Sequence, residues 1–153
     1  MNEPGNPKLI DDDEMLYRQV HPGFVRDGRP SSQAFRPTPK DDKKLSVSRS
    51  TLTTAEGAYT LFTGSRGLAS AGTWGVTVGE CNAQGLPALS DPLNAPPEPV
   101  ADPAHAVVDF SSISKNQAEA RGARLARTAS DRGRLHPPIA EGAEGREPRV
   151  AAE

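Results

Sequence analysis

Cysteine is nearly absent from this 153-residue chain, which contains Cys81 alone. One cysteine excludes an intramolecular disulfide and every zinc site that needs several cysteines. The three histidines, His21, His105 and His136, lack the spacing of metal ligands, so we expect neither a metal nor a cofactor. Such sparse use of cysteine is typical of a reducing compartment and predicts a cytoplasmic location.

Long apolar runs and aromatic residues are also scarce. Nowhere do about 18 apolar residues run together, and the first residues lack the basic and apolar regions of a signal peptide. We therefore expect no association with a membrane. Aromatic residues make up 5% of the chain, against 15 prolines and 14 glycines, which predicts a small core with long irregular connections.

Composition divides the chain into one domain and two tails. Residues 1–13 mix proline, asparagine and acidic residues and predict a disordered acidic N-terminal tail. Residues 137–153 have little apolar content and predict a second disordered tail. The remaining residues, 14–136, are enough for a single domain, with a proline-rich loop at 91–104.

Alternating apolar residues predict four to five strands in this domain. The segments are "MLYRQVH" from residue 15, a short strand in "SQAFRPT" from residue 32, "LSVS" from residue 45, "AGTWGVTVGE" from residue 71 and "HAVVDF" from residue 105. A turn is predicted at Asp27-Gly28.

Capping signals predict two principal helices. Thr53 with Glu56 and Ser114 with Gln117 each form the pattern of a capping box. The chain is therefore predicted to be an α+β domain, in which the helices cover one face of a mainly antiparallel or mixed sheet.

Arg18 lies between two residues, Leu16 and Val20, that favour burial on one face of the first strand. A buried guanidinium needs a partner, so we expect Arg18 to pair with Asp109 or Glu80, or to bind an anionic ligand.

Several polar residues near Arg18 in the predicted sheet form a candidate catalytic set. The candidates are Arg18, His21, Ser31, Ser32 and Glu80. The order of the arginine, the serine segment "SSQAF" and the glutamate resembles one class of ADP-ribosyltransferases, without that family's serine-motif threonine or paired-glutamate loop. The resemblance implies that Arg18 holds an anionic part of the substrate and that Glu80 stabilises an oxocarbenium-like centre.

Two further segments carry positive charge. The loop "TGSRGLASAG" offers Gly64, Arg66 and Gly67 as an anion-binding nest, although its glycines favour a plain flexible connection between a helix and a strand. Residues 115–136 hold six basic and two acidic residues, and we expect Arg121, Arg124 and Arg127 to contact an acidic protein partner or solvent. The balanced charge of residues 17–114 argues against a nucleic-acid partner.

The sequence does not place any candidate nucleophile within reach of a base that a third group could orient. His105 and Asp109 share a face of one strand about 13 Å apart, which is too far for one to orient the other, and a lone Cys81 is typical of a small buried side chain. The first hypothesis is therefore a small cytoplasmic accessory or protein-interaction module of bacterial type. The alternative is a small enzyme or ligand-binding protein that acts on a nucleotide or another anionic ligand through Arg18, Glu80, Ser31 and His21.

Overall fold

A computed structural model of the chain describes residues 7–38 and 42–138. Its seven strands are β1 (Met15–Val20), β2 (Val25–Arg26), β3 (Arg29–Pro30), β4 (Lys44–Arg49), β5 (Gly72–Thr77), β6 (Ala88–Ser90) and β7 (His105–Asp109). Its α-helices are α1 (Ala55–Thr60), α2 (Val78–Ala83) and α3 (Lys115–Arg132). Two 3₁₀ helices, Pro22–Phe24 and Ser32–Phe35, and a π-helical segment, Leu61–Ser65, complete the set.

Five strands form one antiparallel sheet in the order β5-β1-β4-β7-β6. β1 pairs along its whole length with β5, from Met15 opposite Thr77 to Val20 opposite Gly72. Its pairing with β4 covers two positions, Leu16 opposite Arg49 and the next residue along. The predicted class, a single small α+β domain on an antiparallel sheet, is therefore confirmed.

The hydrophobic core lies between the sheet and α3. Ser114 caps this helix in a reciprocal capping box with Gln117, as its sequence predicts. Leu125 and Ala129 of α3 are buried in the same apolar cluster as Leu16. The other large members of that cluster are Leu9, Val20, Phe35, Leu45, Val47, Trp74, Val76, Val78, Leu86, Val108 and Phe110.

The opposite face of the sheet carries α1, so the prediction that both helices share one face is wrong. Gln19 and Thr73 face each other across β1 and β5, and their side chains hydrogen-bond at 2.9 Å. The Thr73 hydroxyl also donates to the carbonyl oxygen of Ala55 in α1 at 3.4 Å. α1 begins after Thr54 rather than Thr53, because the Thr54 hydroxyl accepts the N–H of Gly57.

The predicted strand through residue 80 ends at Thr77, and α2 follows at once. Thr77 and Glu80 form a capping box in which each side chain accepts the other's backbone N–H. Alternation of Val76 and Val78 continues past the strand, but the cap redirects the backbone into a helix. Val78 and Cys81 of α2 are buried.

The turn at Asp27-Gly28 is confirmed between β2 and β3, where both residues have positive φ, 54° and 77°. A two-residue hairpin with both φ values positive matches the twist of its strands. The segment after it, Ser32–Phe35, is a 3₁₀ helix rather than the expected strand. Its Ala34 and Phe35 are buried.

The two tail predictions extend outside the described residues, over 1–6 and 139–153. Residues 7–13, assigned above to the tail, lie against the sheet instead. The N–H of Leu9 donates to the carbonyl oxygen of Ala88 at 2.8 Å, and Leu9 is buried. The proline-rich loop contains one isolated bridge, between Leu93 and Asp102. Within the described part of the chain, no helix is long and apolar enough to cross a bilayer.

Candidate functional site

Arg18 lies where β1 and β4 stop pairing. Its Nε donates to the carbonyl oxygen of Ala34 at 2.9 Å, and its Nη1 donates to the carbonyl oxygen of Ser46 at 3.0 Å. The guanidinium therefore connects β1 to β4 and to the second 3₁₀ helix. Glu80, one of its two expected partners, is bound by Arg132 at 2.7 Å instead.

A cleft of about 240 Å³ opens on the sheet face that carries α1. Arg18 and Arg66, both predicted anion-binding residues, line this cleft. The other lining residues come from β1, β4, the segment after α1, the proline-rich loop and β7, namely Tyr17, Gln19, Ser46, Val47, Ser48, Phe62, Leu68, Leu93, Asp102 and His105. We call this site the polar cleft.

His105, which lines the polar cleft, lies between Ser46 and Asp91. Ser46 Oγ lies 3.1 Å from His105 Nε2. On the other side of the ring, His105 Nδ1 lies 2.9 Å from the Asp91 carbonyl oxygen and 3.2 Å from Asp91 Oδ2. Both groups near Nδ1 are acceptors, so Nδ1 carries the proton, and Nε2 accepts from the Ser46 hydroxyl. A serine, a histidine and an aspartate in this order form the arrangement of a serine nucleophile with its base.

The strand register positions these three residues. Ser48 of β4 pairs with His105 of β7, so Ser46, two residues away on the same face, lies diagonally opposite the ring. Ser90 of β6 pairs with Ala106, and the next residue, Asp91, donates its N–H to the His105 carbonyl oxygen at 3.0 Å. The three side chains differ in their exposure to solvent. Ser46 is exposed, while 36% of the Asp91 side chain and 13% of the His105 side chain are accessible.

Arg66 lines the polar cleft and also carries a buried, unsatisfied donor. Its Nη2 and Ser31 Oγ are the two buried side-chain polar atoms without a hydrogen-bond partner in the described part of the chain. Leaving a buried N–H of a charged group unpaired costs about 1–3 kcal/mol or more. Such a group is preorganised to bind an oxygen that carries or develops negative charge.

The remaining walls of the polar cleft combine one carboxylate with apolar groups. Asp102, which is 8% exposed, carries a negative charge that partly offsets the positive charges of Arg18 and Arg66. Phe62, Leu68 and Leu93 supply apolar surface. The site therefore favours a small ligand with both a polar and an apolar part over a highly charged one.

The other catalytic candidates do not line the polar cleft. His21 accepts the N–H of Gly23 and caps the first 3₁₀ helix. Ser31 is the N-cap of the second 3₁₀ helix, which begins at Ser32, and Ser31 Oγ has no hydrogen-bond partner among the described residues. Glu80 is held in the cap of α2, where burial raises its pKa but hydrogen bonds from Arg132 and Thr77 lower it further, to a net value below the usual range.

The structure also separates the residues that were predicted to form an anion nest, and it gives two of the predicted partner-binding arginines a contact within the molecule. Gly64 lies within the π-helical segment, and Gly67 takes a φ of 67° in the exposed turn after it, so Arg66 alone of this group reaches the cleft. Arg121 and Arg124 of α3 bind Gln84, at 2.8 Å and 3.2 Å. Arg127 is exposed.

Sequence reasoning considered His105 only together with Asp109, rejected that pair, and missed Ser46 and Asp91. The missing information is the order of β4, β7 and β6, which brings residues 46, 91 and 105 together. Cys81 is correctly expected to be a buried small side chain. Burial and the nearby Glu80 carboxylate raise the pKa of its thiol to about 12.

The comparisons with known proteins add no assignment. No protein-family model matches the chain, and neither the curated proteins nor the solved structures contain a significant match. Within residues 7–38 and 42–138, no group of three or more metal-binding side chains comes together.

Proposed function

We propose that the protein is a small hydrolase that cleaves short acyl esters in the polar cleft. The observation that carries this proposal is the position of His105 between Ser46 and Asp91. Its Nε2 lies 3.1 Å from Ser46 Oγ, and its Nδ1 lies 2.9 Å from the Asp91 carbonyl oxygen and 3.2 Å from Asp91 Oδ2. Ser46 and His105 line a cleft that Arg66 also lines. A nucleophile, a base, a group that orients the base and a donor for the developing charge are the parts that acyl transfer requires.

In this reaction Ser46 Oγ attacks the ester carbonyl carbon, while His105 Nε2 takes the hydroxyl proton. The carbonyl oxygen becomes an oxyanion, to which Arg66 Nη2 donates a hydrogen bond. When the intermediate collapses, the alcohol leaves with the proton from His105 and the acyl group stays on Ser46. Water then attacks the acyl carbon while His105 Nε2 takes one of its protons. When the second intermediate collapses, the bond to Ser46 Oγ breaks, His105 returns the proton to Oγ, and the carboxylic acid is released.

Asp91 and Arg18 are positioning residues. Asp91 keeps the His105 proton on Nδ1 and stabilises the imidazolium that forms during the reaction. Arg18 donates to the backbone carbonyl oxygen of Ser46, which fixes this part of β4 where β1 no longer pairs with it.

The size of the polar cleft supports a short acyl group. Its volume of about 240 Å³ is below the range of roughly 300–1,000 Å³ for pockets that enclose drug-sized ligands. Apolar side chains such as Phe62 and Leu68 favour a few methylene groups beside the reacting carbonyl. We therefore expect acetate and butyrate esters to be better substrates than long-chain esters.

This proposal develops the alternative hypothesis from the sequence, an enzyme that uses Arg18, and changes its other residues and its chemistry. The first hypothesis, an interaction module, stays a separate proposal. The location in the cytoplasm also stays a prediction, since no finding bears on it.

The test is hydrolysis of p-nitrophenyl acetate and butyrate by wild-type protein and by single variants. Ser46→Ala and His105→Ala are each expected to lose about 10³-fold or more of the rate, because serine and histidine act as a unit. Asp91→Asn is expected to lose less, about a hundredfold, because the backbone oxygen of Asp91 still accepts from Nδ1.

Ser48→Ala is the matched control. Ser48 has the same side chain, lies on the same strand and lines the same cleft, but its hydroxyl is not the group placed against His105 Nε2. Its rate is expected to stay within about twofold of wild type. Equal rates in wild-type and Ser46→Ala protein, with both folded by circular dichroism, would reject the proposed nucleophile.

A further inference from the structure

A second and larger groove, of about 720 Å³, lies on the sheet face covered by α3. It shares no lining residue with the polar cleft. Its walls come from the two 3₁₀ helices, the residue before β4, the residue after β7 and the first turns of α3. We call it the α3 groove.

The floor of the α3 groove is apolar and anchored. Phe110 is 2% exposed and belongs to the hydrophobic core. Phe24, Ile113 and Ala118 are partly buried and pack against the same core. A floor fixed in this way keeps its shape without a ligand, so a partner would not have to order it on binding.

The rim of the α3 groove is positively charged. Arg36, Lys43 and Lys115 line it against one carboxylate, Glu119. The chain as a whole has a net charge of −2, so the positive charge of this rim is opposite in sign to the net charge of the protein. Lys115 and Lys43 are exposed. The first turn of α3 contains no acidic residue, and the positive end of the helix dipole adds to the same potential.

We propose that the α3 groove binds an acidic amphipathic segment of another protein. Apolar side chains of the segment would cover Ile113 and Ala118, and its carboxylates would meet the rim cations Arg36, Lys43 and Lys115. A nucleic acid fits less well, since the cations surround an apolar floor and do not follow a track of phosphates. This proposal does not depend on the hydrolase.

The surface differs from the one predicted from sequence, although the chemistry of the partner is the same. Arg121 and Arg124 are occupied by Gln84 within the molecule, which leaves them less suited to a partner. Lys43 and Lys115 have no such partner among the described hydrogen bonds and ion pairs. The partner-binding role therefore moves from the middle of α3 to its N-terminal end.

The test measures fluorescence anisotropy of a short labelled peptide that alternates leucine or phenylalanine with glutamate. We expect binding in the range of about 10–100 μM. The double variant Lys43→Glu/Lys115→Glu is expected to weaken binding about tenfold or more, because like charges then face the peptide. Arg127→Glu, which adds the same kind of charge on an exposed position outside the groove, is expected to change binding by less than about twofold.

Two controls separate the alternatives. A counterpart peptide with lysine in place of glutamate is expected not to bind, and Ile113→Asp is expected to abolish binding of the acidic peptide. Equal binding of both peptides, or an equal loss in Arg127→Glu, would overturn the proposal. Preferential binding of a short oligonucleotide would overturn it too. Analytical ultracentrifugation tests whether the protein binds itself. If the wild-type protein self-associates and Lys43→Glu/Lys115→Glu does not, the occupant of the α3 groove is a second copy of the chain and not another protein.

Discussion

At the scale of single residues, the buried carboxylate of Glu14 is held by an arginine and a threonine. Glu14 is 4% exposed, and its carboxylate accepts from Arg49 Nε at 3.0 Å, Arg49 Nη2 at 3.2 Å and Thr51 Oγ1 at 2.7 Å. Burial raises the pKa of Glu14, but these hydrogen bonds and the Arg49 charge lower it further, to a net value below the usual range. The residue closes the start of β1 against the end of β4.

Glu14→Gln is therefore expected to destabilise the protein by about 2 kcal/mol, because a buried arginine contact loses its charge. Glu56→Gln, an exposed glutamate in the first turn of α1, is the control and is expected to cost less than about 0.5 kcal/mol. Urea denaturation at neutral pH measures both. A loss for Glu14→Gln no larger than for Glu56→Gln would contradict the assigned role.

The same carboxylate predicts a pH dependence. The folded pKa of Glu14 is below the unfolded one, so its stabilisation is complete above the unfolded value of about 4.3 and is lost as pH falls through the folded value. Glu80 acts in the same direction. Wild-type stability is expected to fall more steeply below about pH 4 than that of Glu14→Gln.

For single residues, the sequence indicated which side chains need a hydrogen-bond partner, but it did not indicate which groups provide one. Arg18 was correctly selected as a residue that needs acceptors, but the acceptors that the structure provides include backbone oxygens of Ala34 and Ser46. Glu80 was selected for catalysis and is a helix cap. A carboxylate that caps and one that catalyses look alike in sequence, because the difference lies in neighbours that the fold brings from elsewhere.

At the scale of elements, α3 packs unusually close to the second 3₁₀ helix. An added Cβ on Gly122 would lie 2.9 Å from the backbone oxygen of Phe35 and 3.0 Å from Arg36 Cβ. A backbone oxygen cannot move aside as a flexible side chain does. Gly122, Leu125 and Ala129 lie on the buried side of α3.

Gly122→Ala is therefore expected to destabilise the domain by about 1–2 kcal/mol, although alanine favours helices over glycine by about 1 kcal/mol. Ala120→Gly, at an exposed position of the same helix, measures the propensity effect alone. Thermal unfolding of both variants gives the comparison. A Gly122→Ala protein more stable than wild type would show that α3 and the 3₁₀ helix are not in close contact.

Capping signals and alternation predicted most elements, and failed where the two overlap. Ser114 and Gln117 begin α3 as expected. In "TWGVTVGE" the alternation extends to Glu80, whereas the Thr77–Glu80 capping box begins a helix. Local pattern cannot decide between these signals, because the outcome depends on Val78 and Cys81 reaching the core.

At the scale of the whole molecule, the sheet separates two sites on its two faces. The polar cleft lies on the face with α1, and the α3 groove lies on the other. Strand order, which sequence alone does not fix, brings residues 46, 91 and 105 together from three strands or strand ends. The fold class was therefore predictable, whereas the site was not.

The boundary of the domain is also a property of the whole molecule. Leu9 is 6% exposed and belongs to the core cluster, while its neighbour Ile10 is 87% exposed. Leu9→Ala is expected to destabilise the protein by about 2 kcal/mol, and Ile10→Ala by less than about 0.5 kcal/mol. Equal values in chemical denaturation would mean that residues 7–13 do not belong to the folded domain.

The most direct measurement is mass spectrometry of the protein after reaction with a fluorophosphonate, which labels activated serine hydroxyls. The proposed hydrolase predicts one adduct, on the peptide that contains Ser46, absent in Ser46→Ala and His105→Ala and retained in Ser48→Ala. No adduct on Ser46 in folded wild-type protein, or equal labelling after removal of His105, would contradict the assignment of Ser46 and His105 as nucleophile and base.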